Sequence, residues 1–107
     1  MKVIDIDKIE GKRIDTPGMK RTVKDILSVR NMIARMGIYL PGQQSSAHSH
    51  AESEELAYCV KGKGTITAEG EAKSFESNFL IYIPQGVTHQ YKNVGNEELI
   101  LYGVFDH

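Results

Sequence analysis

The 107-residue sequence contains no tryptophan, three prolines and a single cysteine, Cys59. One thiol excludes an intrachain disulfide and favours a reducing compartment. Charge of one sign is also missing, because 13 Lys plus Arg stand against 14 Asp plus Glu and the basic residues are dispersed. Such a balance gives no electrostatic footprint for nucleic acid or an anionic membrane. No helix-turn-helix pattern supports a DNA-binding regulator. Long hydrophobic runs are absent too: nothing approaches a membrane span, and MKVIDIDKIE alternates charge with aliphatic residues where a signal peptide needs an unbroken apolar stretch. A cytoplasmic protein with one core, a single domain over residues 1–107, is the expectation.

Helical periodicity is the next absence. No window of 11 or more residues carries a convincing helical stripe, whereas short runs rich in Val, Ile, Thr and Tyr end at Gly, Pro or Asn. The alternation predicts strands at Val3–Ile6, Arg21–Val29, Asn31–Leu40, Ser46–Ser49, Glu55–Lys61, Gly64–Ala68, Ala72–Phe75, Phe79–Ile83, His89–Asn93 and Glu98–Phe105. Regularly spaced short strands imply an antiparallel sandwich or barrel. Pro41-Gly42, Gly62-Lys63-Gly64 and Glu69-Gly70 mark tight turns, and Gly11–Gly18 reads as a loop.

Against that background two of the four histidines, His48 and His50, stand one residue apart in PGQQSSAHSHAESEEL. On a strand they share a face, since successive side chains alternate. The next strand opens at Glu54-Glu55, where parity turns one carboxylate inward and the other outward. Further on, PQGVTHQYKN presents His89 after a Pro-x-Gly turn at the start of another strand. Any one of these histidines alone reads as a surface turn residue. Together, three imidazoles and a carboxylate form a donor set that suits a first-row divalent ion.

These two segments closely resemble the motifs of the cupin family. The first, G-x5-H-x-H-x3-4-E-x6-G, is matched by Gly42, His48, His50, Glu55 and Gly62. The second, G-x5-P-x-G-x2-H-x3-N, is matched by Pro84, Gly86, His89 and Asn93. One departure is Asn78, which stands where the second motif opens with glycine; asparagine is the next most tolerant residue for a left-handed backbone. The resemblance implies an all-β fold, a single antiparallel double-stranded β-helix (jelly-roll) barrel. Residues 1–41 would supply N-terminal strands, 42–93 the two metal-binding motifs and 94–107 a C-terminal strand. It also implies one divalent transition-metal ion per chain (Mn, Fe, Ni, Co, Cu or Zn), held by His48, His50, Glu55 and His89.

Four protein ligands on an octahedral ion leave two positions for water, dioxygen or a chelating substrate, which is the mark of a catalytic site. The candidate pocket is a small, oily one in which the face of Met32, Ala34 and Met36 lines the interior with Ala57 and Tyr91, and Gln44 comes within reach. Methionines at such positions also serve as core filler. Cys59 shares the inward face of Glu55 and Ala57. It lies roughly 13 Å along the strand from Glu55, too far to ligate the same ion, and reads as a buried core thiol. The run LILYGVF, Leu99–Phe105, lacks polar alternation and would be buried on both faces; a homodimer, in keeping with the cupin resemblance, is the expected cover, and an N-terminal strand folding across it is the plainer alternative.

Among cupin chemistries the open one-metal site suggests a metalloenzyme of dioxygenase type acting on a small oxygenated, apolar substrate. The alternative is a metal-dependent small-molecule binding module. An epimerase needs an acid–base pair, and a phosphosugar isomerase a cluster of Arg or Lys on inward positions; neither is evident in the sequence.

Overall fold

Extended backbone dominates the chain because its β-branched and aromatic residues alternate with polar ones and its turn residues recur every few positions. The structure, a computed structural model, describes residues 1–47, 49 and 53–106. Its strands are β1 (Lys12–Thr16), β2 (Met19–Val29), β3 (Met32–Tyr39), β4 (Glu55–Lys61), β5 (Lys63–Ala68), β6 (Glu71–Glu76), β7 (Leu80–Ile83), β8 (His89–Asn93) and β9 (Leu99–Asp106). They form a six-stranded sheet in the order β1-β2-β3-β9-β4-β7 and a three-stranded sheet in the order β6-β5-β8, with every pairing antiparallel. This is the expected all-β jelly roll. No helix among the described residues is long and apolar enough to cross a membrane.

Between the sheets lies a core of Tyr39, Ala57, Cys59, Ile66, Phe75, Ile83, Tyr91, Leu99 and Leu101. Register decides which side chains reach it. In the large sheet Gly37 opposes Leu101 and Leu101 opposes Cys59, while Glu55 stands between Phe105 and Ile83. Parity along β4 therefore sends Glu55, Ala57 and Cys59 inward and leaves Leu56 and Tyr58 outward.

Three expected elements are corrected. Residues of Val3–Ile6 form no strand. A 3-10 turn spans Ile6–Lys8 instead, capped by Asp5, whose side chain accepts from the Asp7 N–H at 3.1 Å; short acidic side chains bonding their own backbone favour turns over ladders. The Gly11–Gly18 stretch is not a loop. Lys12–Thr16 pairs with β2 through a two-residue hairpin at Pro17-Gly18, with Gly18 at φ +80°, as a type II turn requires. The described residues of Ser46–Ser49 carry no strand, since pairing ends at Gln44 and Ser45, where the Ser45 hydroxyl takes the Tyr91 N–H in place of a carbonyl.

Outside the large sheet the even-numbered residues of β9, Ile100, Tyr102 and Val104, are half-buried. Around them Met32, Leu56, Tyr58, Leu80 and Tyr82 are exposed, Leu80 by 65% and Tyr82 by 54%. The N-terminal strand does not fold across this face, because β1 lies at the sheet edge, separated from β9 by β2 and β3.

Gly62 joins β4 to β5 at φ +93°, and a Cβ there would strike the backbone of Glu98 and lie 2.9 Å from the Leu99 Cα. Gly70 shares the left-handed conformation, at φ +76°, but faces open space. Gly62→Ala is expected to lower stability by at least about 2 kcal/mol, because backbone must move in addition to the left-handed strain, and Gly70→Ala by about 1 kcal/mol. Urea unfolding of the two variants checks the order.

Candidate metal centre and cavity

β4 and β8, strands of opposite sheets, bring Glu55 and His89 together in the core. The Pro84–Gly86 turn closes with the Val87 N–H donating to the Pro84 carbonyl at 3.3 Å and so starts β8 at His89. The imidazole is 1% exposed. Its Nδ1 lies 2.9 Å from the Val87 carbonyl, which can only accept, so Nδ1 carries a proton and Nε2 is left facing Glu55. Nε2 stands 3.5 Å from Glu55 Oε2. Burial by itself lowers the His89 pKa, yet hydrogen bonding to Glu55 and to the Val87 carbonyl, with the carboxylate charge, raises it above the ordinary value.

Tyr91, two residues along the same face, donates its hydroxyl to the same Glu55 oxygen at 2.5 Å. Its ring packs edge-on against His89, with centroids 5.6 Å apart, and against Phe75 at 6.2 Å. Burial, followed by the neighbouring carboxylate, pushes the Tyr91 pKa far above the ordinary tyrosine range, so it holds its proton. Glu54 behaves as parity requires of the outward carboxylate: it is exposed and accepts from the Tyr82 hydroxyl at 2.5 Å.

The segment leading into the first motif runs beside β8. The Ser45 N–H donates to the Tyr91 carbonyl at 2.9 Å, the Ser45 hydroxyl accepts from the Tyr91 N–H at 3.0 Å, and the Asn93 N–H donates to the Gln43 carbonyl at 3.0 Å. The buried Asn93 side chain donates to the carbonyls of Tyr39 and Glu97, each at 2.8 Å. The histidine pair, His48 and His50, lies outside the described residues. Among the described residues no group of three or more His, Cys, Asp or Glu is assembled. His89 and Glu55 nonetheless fit a shared ion: donors 3.5 Å apart can both reach a cation lying about 2.0–2.2 Å from each. The orientation of His89 by a backbone carbonyl is the outer support that ligating imidazoles use.

A cavity of about 50 Å³ opens beside this pair. Ala57 and Tyr91 line it with Glu55, but the expected methionine face does not. Met32 is 52% exposed, Met36 is half-buried, and Ala34 is buried on the opposite side of the sheet. The inner residues of β3 are Arg35, Gly37 and Tyr39, because Gly37 and Tyr39 align with Leu101 and Leu99 on the core side of β9. Gln44 is not among the residues lining this cavity; its backbone bridges Lys92, and its carbonyl accepts from the Lys20 N–H at 2.9 Å.

The cavity is therefore not oily. Arg21, Arg35 and Tyr39 enter it beside Leu101 and Phe105. Arg35 is neutralised by Asp25, its cross-strand partner, at 2.8 Å, and its guanidinium lies 5.5 Å from the Phe105 ring centre. Arg21 donates from Nη1 to the Tyr39 hydroxyl at 3.1 Å. These residues were missed by sequence reasoning. The available signal was parity on β2, where Arg21 alternates with the buried Val23. Cys59, fully buried, has its pKa raised chiefly by that burial, which keeps an unreactive thiol.

A family model, the Cupin domain, matches residues 35–105. The chain belongs to the cupin family. The curated polyketide synthase CurC of Streptomyces cyaneus is 32% identical over 99 residues, covering 91% of this chain and 64% of its own length. Among solved structures, one described as a predicted oxalate decarboxylase from Thermotoga maritima superposes with a TM-score of 0.90 at 20% identity, covering 98% of each chain. The polyketide cyclase RemF from Streptomyces resistomycificus gives 0.86 at 17% identity, covering 99% of this chain and 79% of its own. At such identities the two structures establish the fold, and the names attached to this cupin's relatives span several chemistries.

Burial holds the pKa values of both Tyr39 and Tyr91 above that of a free tyrosine. A raised native pKa means that the stabilisation is fully present below the unfolded value, about 10, and is lost as pH climbs above it. Stability is expected to fall between about pH 10 and 11 as unfolded tyrosines ionise, and Tyr39→Phe and Tyr91→Phe should each flatten that fall. Urea midpoints across pH 8–11 check it; parallel curves for wild type and both variants would contradict it.

Proposed function

We propose that this cupin is a metal-dependent enzyme of dioxygenase type that acts on a small oxygenated molecule in the cavity beside Glu55 and His89. The observation that carries this reading is the buried His89–Glu55 pair, with Nε2 oriented toward the carboxylate and a cavity alongside. His48, His50, Glu55 and His89 are the proposed ligands. A redox-active divalent ion held there would supply Lewis acidity and dioxygen chemistry. The chain's own contribution is placement: the Val87 carbonyl fixes the imidazole tautomer, and Tyr91 pins one carboxylate oxygen and keeps a proton at the cavity wall. Leu101 and Phe105 exclude water from one side.

A second reading rests on a specific observation. The polar lining, with Tyr91 protonated against Glu55, could also serve metal-assisted proton transfer, as in an isomerase or cyclase, without oxygen consumption. The names of the relatives leave both chemistries open. Oxygen uptake by metal-loaded protein against small enolic, phenolic and carboxylic compounds separates them. Compound-dependent uptake supports the first reading, whereas turnover under argon supports the second.

One transition-metal ion per chain is expected after reloading with Mn, Fe, Co, Ni, Cu or Zn. Glu55→Gln keeps the volume but removes the anionic donor, and should weaken metal binding by more than the roughly 10–100-fold typical of outer-shell changes. Glu54→Gln alters an exposed, screened charge and should stay within about threefold. Titration of both variants in one buffer checks the assignment, and the reverse order would overturn it.

We further propose that the protein is a homodimer, with the apolar outer face of β9, β4 and β7 as the contact. A sheet face bearing Leu56, Leu80, Tyr82 and Tyr102 can meet its own copy about a two-fold axis. Light scattering at micromolar concentration should give twice the chain mass, and Leu80→Glu should return it to one.

A further inference from the structure

The cavity holds one charge that the metal reading does not use. Arg35 is paired with Asp25, but among the described residues no carboxylate lies within ion-pair distance of Arg21. Its Nε is buried with no hydrogen-bond partner among the described residues, and its Nη1 donates to the Tyr39 hydroxyl. A guanidinium taken partly out of water with no carboxylate in direct contact is costly, and an anionic ligand that accepts from its free N–H groups lowers that cost, although Glu55 lines the same cavity. We propose that Arg21 is the anchor for the carboxylate of a small organic acid, with Tyr39 as the positioning residue that holds its guanidinium at the cavity wall.

Arg21 follows inward parity from Val23, and Tyr39 lies across from it one step beyond the Thr22–Ile38 pair of β2 and β3. Tyr39 in turn is fixed from behind: it is 1% exposed, its carbonyl accepts from Asn93, and its ring lies 3.1 Å from where a Cβ on Gly37 would stand. The cavity's volume sets the size of the acid. At about 50 Å³ it has room for roughly four waters, counting one per 10–15 Å³, which suits an acid of a few heavy atoms. A guanidinium fork matches the planar carboxylate, while Ala57, Leu101 and Phe105 provide apolar wall for a short carbon skeleton. The proposal deepens the functional reading above, on which it depends for the role of a second substrate oxygen directed to the Glu55–His89 side.

Calorimetric titration with pyruvate as the probe, on metal-free and metal-loaded protein, tests the anchor separately from the metal. Methyl pyruvate serves as the neutral comparison and inorganic phosphate as the competing anion. Pyruvate is expected to bind in both forms and its ester at least about tenfold more weakly; Arg21→Gln should weaken pyruvate by at least about tenfold while metal affinity stays within about threefold. Arg21→Lys keeps the charge without the fork and should fall between the two, and it replaces Arg21→Gln as the test variant if circular dichroism shows the latter unfolded. Lys20→Gln, on the outward face of the same strand, should change nothing. Wild-type pyruvate affinity in the Arg21 variants, equal affinity for the ester, or tighter binding of phosphate would each overturn the proposal. Failure to load metal, with pyruvate binding still dependent on Arg21, would remove the metal reading and leave the anchor standing.

Discussion

Every feature that the large sheet brings to the site depends on β9 lying between β3 and β4 in a fixed register. The last strand of the chain is the common partner of an N-terminal strand and a central one, and its inner residues Leu99, Leu101, Gly103 and Phe105 set the positions against which the others align. Shifting β9 by one residue would turn Leu99, Leu101 and Phe105 to the outside and bring Ile100, Tyr102 and Val104 in. The core would then meet a tyrosine where it now meets leucine. Because Arg35 opposes Gly103 and Gly103 opposes Ala57, two of the smallest residues sit side by side in the sheet. The cavity exists where side-chain volume is withheld.

Polar atoms on that inner surface form a connected set. Tyr91 donates to Glu55, Glu55 faces His89, and His89 donates to Val87, so the carboxylate is held from one side while the imidazole is held from the other. In low dielectric such a set stays ordered only when its members satisfy one another. Arg21 and Tyr39 make a second set on β2 and β3, and Asn93 ties the two together by bonding the Tyr39 carbonyl from the end of the strand that carries Tyr91. The motif asparagine thus acts on the backbone geometry of the cavity.

The sequence was most legible where a motif and a strand period agreed. Glu55 rather than Glu54 turns inward, and the bounds of β4 and β8 match the runs Glu55–Lys61 and His89–Asn93. Asn78, in place of the motif glycine, adopts φ +71°, the left-handed conformation its short amide side chain tolerates. Along β3 the same period misled. Alternation shows that Met32, Ala34, Met36 and Ile38 share a face, but not which side of the sheet that face covers. The more apolar set lies outward and the set with Arg35 and Tyr39 inward, and each polar member of the inner set finds a partner on β2: Asp25, at the exposed rim, for Arg35 and Arg21 for Tyr39. Those partners sit on a neighbouring strand, so no local pattern announces them. The edge strand β1 was hidden for a different reason, since KRIDT has one half-buried residue in five and needs only hairpin pairing.

Fold and ligand preference are thus set by different residues. Cores of leucine, isoleucine and tyrosine at alternating positions, with the turn glycines, specify a jelly roll that relatives with different activities share. Charge on the inner face is free to vary within that frame, because β2 and β3 lie outside the segment that carries both histidine motifs. Arg21 sits on this variable inner face, where its guanidinium meets the Tyr39 hydroxyl and no carboxylate within ion-pair distance among the described residues. Reading chemistry in such a family therefore means asking which inward polar groups keep unused donors once core and motif are accounted for, and among the described residues Arg21, with its buried Nε, is the one that does.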